Sequence, residues 1–360
     1  MELERNALAR GLDATLNRWS EALRTVEDRL RFDRALERLP REWRNLRERV
    51  LALRRDIEAL LGGPLALWRD VAGDPGAQTP SENGRCGADD LLAANLARAR
   101  EAARSSEESL RALAPAIAAK AESIRYAIYA AEAATLGLLR RRGRLADVRL
   151  YVLLTSELAA RPLLDAARAA IAGGAQMLQL REKTLPAREF LALARALREL
   201  TAERGVIFLV NDRVDIAALV GADGVHQGQE DFSPAEARRV LGPDAIVGVS
   251  THAVSEARAA ELAGADYIGV GPIFPTNTKL HRAAVGLPYI TAAQAACDLP
   301  AFAIGGVTHA TLESVLNQGA TRVAVCTAII ADDDIERSAR WFRTQLESRA
   351  RAAHAVRSPS

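Results

Sequence analysis

Gln179-Leu180-Arg181-Glu182-Lys183 closes a short apolar run with two cations and a carboxylate, and comparable chemistry returns further along the chain. Val210-Asn211-Asp212, Gly228-Gln229-Glu230-Asp231, Gly248-Val249-Ser250-Thr251-His252 and Gly269-Val270-Gly271-Pro272-Ile273-Phe274-Pro275-Thr276 each stand just after such a run. The runs fall at 149–154, 176–181, 206–210, 223–226, 245–249, 266–270, 300–304 and 322–326, and their length and composition read as strands. Helical stretches separate them: Pro162 to Ala172, Ala187 to Glu203, Val214 to Val220, Pro234 to Leu241, Ser255 to Ala263, Tyr289 to Cys297 and Thr308 to Gln318, with a last helix around 333–349. Eight strand–helix units in about 200 residues predict an α/β fold, a compact (β/α)8 TIM barrel over 149–350. Gly173-Gly174, Gly221, Gly264 and Gly319 then close helices on the opposite, stability face, and the tail from Ala352 is expected to fray.

Residues 1–142 follow another grammar. Arg, Ala, Leu and Glu dominate, apolar residues recur every three or four positions, and no strand is evident, so an all-α helical domain is expected. A turn-rich interruption runs from Leu61-Gly62-Gly63-Pro64 through Gly87, and Gly143 after Arg140-Arg141-Arg142 reads as a helix stop. A weak repeat is present: Ala14-Thr15-Leu16-Asn17-Arg18 with Glu21-Ala22, Arg24 and Glu27-Asp28 returns eighty residues on. The second copy is Ala94-Asn95-Leu96-Ala97-Arg98 with Glu101-Ala102, Arg104 and Glu107-Glu108. Its charges, three apart, share one helix face, which is either a solvated ion-paired face or a binding face.

With 360 residues, 49% of them apolar and 26% charged, the chain can bury the cores of two domains. A formal charge of +2 provides no general field for nucleic acid, which is not expected as a partner. Cys86, Cys297 and Cys326 are far apart and lack metal-ligand spacing, so a reduced compartment without disulfides is expected. Met1-Glu2-Leu3-Glu4-Arg5 has no signal-like apolar core and no run approaches membrane length, giving a cytoplasmic expectation with no membrane partner.

At the barrel mouth, Arg181, Lys183 and Lys279 bring three cations from separate segments, a pattern suited to polyphosphate. Asp212 and Asp231 are adjacent mouth carboxylates of the kind that hold an octahedral Mg²⁺ sharing phosphate oxygens, although either could be a helix cap. Gly305-Gly306 and Cys326-Thr327-Ala328, after the last two strands, suggest a second anion site. His226 and His252 could touch substrate or be held structurally, and His281, His309 and His354 carry no assigned role. Two anion sites, one with metal, imply two phosphorylated substrates.

These motifs, with Asp223-Gly224-Val225-His226, Ala265-Asp266-Tyr267-Ile268, Thr276-Asn277-Thr278-Lys279 and Ala303-Ile304-Gly305-Gly306-Val307, resemble thiamine phosphate synthase over about 149–345. The resemblance implies a transferase joining hydroxymethylpyrimidine diphosphate to a thiazole phosphate, with release of pyrophosphate. It implies that Gln179, Arg181, Glu182, Lys183, Asn211, Ser250 and Lys279 hold the pyrimidine diphosphate. Of these, Arg181, Lys183, Ser250 and Lys279 are expected to act in catalysis, Asp212 and Asp231 to bind Mg²⁺, and Thr276, Thr278, Gly306, Cys326 and Thr327 to line the thiazole phosphate site. Cys326-Thr327 departs from the aliphatic residue and Ser usual in that family. The nearest alternative is a thiazole-isomerising barrel relative, carrying a non-catalytic helical module; it shares the fold without the full pyrimidine diphosphate and Mg²⁺ set.

Residues 8 to about 132 separately resemble the helical domain often fused to such synthases and proposed to phosphorylate hydroxymethylpyrimidine phosphate. The carrying residues are Leu12-Asp13-Ala14, Asn17-Arg18, Glu21-Ala22-Leu23-Arg24, Glu27-Asp28, Arg69-Asp70-Val71-Ala72-Gly73-Asp74, Ala94-Asn95, Arg98, Glu101-Ala102, Arg104, Glu107-Glu108 and Arg125-Tyr126. A kinase would take ATP here; the alternative is a module for docking or for a homo-oligomer. Thr15 stands where that family has Asn, and Ala103 and Ser105-Ser106 replace apolar residues.

Overall fold

The computed structural model describes residues 2–32, 39–68, 87–276 and 283–357, and the chain forms two compact units, Met1–Leu136 and Gly137–Ser360. In the first, α1 (Glu2–Arg31) packs along α2 (Leu39–Leu61) and α3 (Ala88–Leu113), with a short 3-10 turn at Leu65–Trp68, and α4 (Pro115–Leu145) follows. Leu12, Leu16, Trp19, Leu23, Val26 and Leu30 recur at alternating steps of four and three, which aligns them as one buried stripe of α1. Pro115 starts α4 at a position where its missing N–H costs no helix bond.

Buried carboxylates fasten these helices. Asp13 pairs with Arg54, and Glu27 accepts from Arg44 at 2.7 Å and Arg47 at 3.0 Å. Glu107 is engaged by Arg125 and Arg104. Burial raises the Glu27 carboxyl, but the hydrogen bonds from Arg44 and Arg47 outweigh it and hold the group below its usual range. The segment Arg69 to Asp74 and most of the turn-rich stretch, including Cys86, lie outside the described residues.

Helix α4 does not stop at Gly143 but runs to Leu145. Tertiary contacts override the glycine. Within the second unit Arg141 donates to Asp266 at 2.8 Å, Arg144 pairs with Asp223, and Leu145 and Val148 join the apolar core of the barrel. Asp223 and Asp266 stand at the helix-to-strand returns on the stability face, and each also accepts a backbone N–H of a neighbouring strand, from Phe208 and Val247, both at 2.8 Å.

The second unit is a closed parallel barrel in sequential order: β1 (Leu150–Leu154), β2 (Met177–Leu180), β3 (Ile207–Asn211), β4 (Gly224–Gln227), β5 (Ile246–Thr251), β6 (Tyr267–Val270), β7 (Ala301–Ile304) and β8 (Val323–Val325). β8 returns to β1 in the register Leu150↔Val323, Tyr151↔Ala324, Val152↔Val325. Helices α5 (Leu163–Ala172), α6 (Ala187–Arg204), α7 (Val214–Val220), α8 (Pro234–Leu241), α9 (Val254–Ala263), α10 (Pro288–Ala296) and α11 (Leu312–Asn317) connect the strands. After β8 come a short α12 (Thr327–Ile330), which the sequence reading lacks, and α13 (Ile335–Arg357). α11 starts later than expected because Thr308 and Thr311 bond each other in a turn ahead of it. α13 carries the expected frayed tail as helix to Arg357, in keeping with its Ala- and Arg-rich composition. Among the described residues no helix is long and apolar enough to cross a membrane.

One face of each strand packs outward on the helices and the other fills the barrel. Tyr151, Tyr267 and Phe302 meet edge to face at the centre, with ring centroids 5.4–5.9 Å apart. Gly248 makes this possible: a Cβ there would lie 1.9 Å from Cζ of Tyr267. Gly248→Ala is therefore expected to destabilise the barrel by about 1–3 kcal/mol or more, the overpacking range, read as a lowered denaturant midpoint of its unfolding transition.

Candidate active site

Parallel strands deliver their C-terminal ends to one rim, and two adjoining pockets with a partly shared lining open there. The deeper one is lined by Gln179, Arg181, Asn211, Ser250, Thr276, Gly306, Cys326 and Thr327, among others. The second is lined by Lys183, Asp212, Glu230 and Asp231 together with Arg181, Asn211, His226 and Ser250, four residues common to both. All described residues expected at the site thus line one pocket or the other except Glu182, whose carboxylate accepts from the backbone N of Ser156 at 2.6 Å and its hydroxyl at 2.8 Å. Glu182 therefore ties the loop after β1 to the loop after β2. Thr278 and Lys279, like His281, lie outside the described residues.

The acidic end of the second pocket is electrostatically poised for a cation. Asp212 follows β3 with a left-handed φ of 60°, a conformation that Asp tolerates better than most residues, and its carboxylate forms an ion pair with Lys183. Burial raises the Asp212 carboxyl above its usual range, Lys183 lowers it, and the facing Asp231 raises it again. Asp231 is oriented by the backbone N–H of Gly228, which donates at 2.6 Å. Among the described residues no group of three His, Cys, Asp or Glu converges on one point. Two carboxylates suit an ion that takes its other ligands from substrate and water.

The shared wall is held from beneath. Ser250 Oγ lies 2.9 Å from His226 Nε2, and His226 Nδ1 lies 2.9 Å from the Tyr267 hydroxyl. That hydroxyl is 3.1 Å from the hydroxyl of Tyr151, which in turn accepts from the Gln179 amide. Burial raises both phenols, so they stay protonated and act as hydrogen-bond relays. His226 is thus a buried linker in the wall, and nothing in strand spacing alone reveals that Tyr151 and Tyr267 touch. The glycine at position 248, inside a strand, is the one sequence signal of the close approach.

At the far end of the deeper pocket, Gly305 and Gly306 have φ of 91° and 67°. A Cβ on Gly306 would come within 2.6 Å of Phe274, so this turn is restricted to glycine by both conformation and space. His252 lies in the same lining and is engaged by Glu256, 3.0 Å from its Nδ1. His309 stacks on Trp341 and Phe342, a packing role.

The family model described as thiamine monophosphate synthase matches residues 150–329, and the ThiD2 family model matches residues 10–134. The thiamine-phosphate synthase of Gloeobacter violaceus is 42% identical over 347 residues, covering 96% of this chain and 98% of that protein. The chain belongs to the thiamine-phosphate synthase family. The synthase of Synechocystis sp. is 39% identical across 94% of this chain and 96% of its own, so the helical unit is shared along with the barrel. Among solved structures, the thiamine phosphate pyrophosphorylase of Pyrococcus furiosus superposes with a TM-score of 0.52 at 34% identity, covering 59% of this chain and 98% of that one.

In this thiamine-phosphate synthase, Cys326 occupies a pocket wall without a reactive thiolate. Burial pushes its thiol up to about 11, while Arg181 and Thr327 pull it down by less. The thiolate is thus a minor form near neutral pH, so peptide-resolved iodoacetamide labelling of Cys326 is expected to be far slower than that of free cysteine and to accelerate up to about pH 11.

Proposed function

We propose that the barrel joins 4-amino-5-hydroxymethyl-2-methylpyrimidine diphosphate to hydroxyethylthiazole phosphate by a dissociative substitution. The observation that carries this reading is the pair of pockets meeting at Arg181, Asn211, His226 and Ser250. One chamber offers cations and a carboxylate pair to a diphosphate; the other offers glycine backbone and Thr327 to a second phosphate. The bond between the pyrimidine methylene and the diphosphate oxygen breaks, and its electron pair leaves with the pyrophosphate. The thiazole nitrogen lone pair then forms the new C–N bond, giving the thiazolium of thiamine phosphate. A ring nitrogen needs no general base, in keeping with His226 being spent on Ser250 and Tyr267.

Arg181 and Lys183, with Lys279, would neutralise the departing pyrophosphate, and Gln179, Asn211 and Ser250 would fix the pyrimidine against the nucleophile. Thr276, Thr278, Gly306, Cys326 and Thr327 would hold the thiazole phosphate. Mg²⁺ fits the mutually repelling Asp212 and Asp231, which would hold it, and when bound it supplies charge stabilisation to the leaving group.

For the helical unit, the match to the ThiD2 family and the repeated charged face support a kinase that moves the γ-phosphoryl of ATP onto the pyrimidine monophosphate, yielding ADP and the diphosphate that the barrel consumes. A two-arm assay tests both readings. The chain with thiazole phosphate and Mg²⁺ receives either the pyrimidine diphosphate, or the monophosphate with ATP. Thiamine phosphate in both arms is expected; product from the diphosphate alone makes the helical unit non-catalytic, and product in neither sinks the synthase reading. Asp212→Asn should lower kcat/KM in both arms by about 100-fold or more, the scale of losing a charge-stabilising element. Asp231→Asn should raise the Mg²⁺ concentration needed for half-maximal rate.

A further inference from the structure

The two copies of the repeat in the helical unit face one another. Arg18, Glu21 and Ala22 of α1 and Arg98, Glu101 and Ala102 of α3 line a single cleft of about 520 Å³. Corresponding positions of the two copies thus stand on opposite walls of one cleft. Thr15 and Asn95, also counterparts, complete the lining, and Asn95 is buried. The hydroxyl of Ser106 donates to that of Thr15 at 3.1 Å, joining the two helices beside the cleft.

The charges of the repeat divide into two classes. Arg24 pairs with Asp28 at 3.7 Å and its counterpart Arg104 pairs with Glu108, while Glu27 and Glu107 are bound by arginines of the neighbouring helices. Arg18 and Glu21, and likewise Arg98 and Glu101, stand three apart, a spacing that permits an ion pair, yet none of the four makes one among the described residues. The repeated charges that serve the fold are paired. The repeated charges left over are those that line the cleft, with alanines between them leaving room.

We infer that this cleft is a ligand site for a small phosphate monoester that also carries amino or hydroxyl donors. Two guanidinium groups on opposite walls match the phosphate oxygens, and two carboxylates match the donors. A cleft of this volume accommodates one such molecule. Choosing an aminopyrimidine monophosphate as the ligand within this class rests on the kinase reading; the site itself does not.

The test is equilibrium dialysis of the full chain with hydroxymethylpyrimidine monophosphate, in an Arg181→Met/Lys183→Met background that disables the barrel pockets. Adding Arg18→Met and Arg98→Met, which keep the aliphatic stems, should weaken binding at least 30-fold with an unchanged melting profile. Lysine at both positions should restore part of the loss. Absence of binding before the arginines are changed, or binding unaffected by their removal, overturns the site. Kinase failure is distinguishable, with phosphoryl transfer read on chains carrying the intact barrel. Binding through Arg18 and Arg98 without transfer from ATP keeps the site and removes the kinase, whereas transfer that persists in the double variant keeps the kinase and removes the site.

Discussion

The pairing of β8 with β1 is the constraint on which the catalytic unit depends. Closure leaves no free strand edge and forces all eight strand ends onto one rim, so residues as distant in sequence as Gln179 and Thr327 become neighbours. It also fixes an interior that side chains must fill. Three aromatic rings do so, admitted by a glycine on the strand between them and His226. A looser barrel could not hold two pockets against one shared wall.

Filling the barrel with tyrosines creates an obligation, because a buried hydroxyl without a partner is costly. Tyr151 and Tyr267 meet it by bonding each other and then reaching outward to Gln179 and to His226 with Ser250. The polar atoms that the core must satisfy are thereby the ones that orient the pocket walls. Packing and pocket geometry share a single hydrogen-bonded chain, so these pocket-lining groups are anchored on strands rather than on loops alone.

Much of this is legible in the sequence itself. Strand bounds, and helix bounds apart from the end of the last helix, agree within a few residues because parallel strands read as continuous apolar runs, and because Gly173-Gly174, Gly221, Gly264 and Gly319 punctuate the returns. The mouth residues were legible because they follow those runs directly. What escaped depends on contacts across the fold. Gly143 looks like a stop locally, but Arg141 and Arg144 are paired beyond it with Asp266 and Asp223. Glu182 looks like part of a charged mouth, but its carboxylate is spent on Ser156. The four-residue α12 carries too little periodicity to register. The repeat of the helical unit was visible as spacing; that its two copies would confront each other across a cleft was not, since nothing in one helix specifies the azimuth of another.

That confrontation sets two copies of one charged pattern across a single cleft, as two identical subunits would present one patch twice. A true dimer of identical halves must present the same residue at both symmetry-related positions, and so treats the two ends of any ligand alike. Linking the halves removes that restriction. Thr15 already stands opposite Asn95, and Ser106, bonded to Thr15, corresponds to Val26 in the other copy. The polar coupling sits on one side only. A cleft walled by two copies of one repeat has thereby acquired a direction, the property that lets a pocket tell one end of an asymmetric molecule from the other.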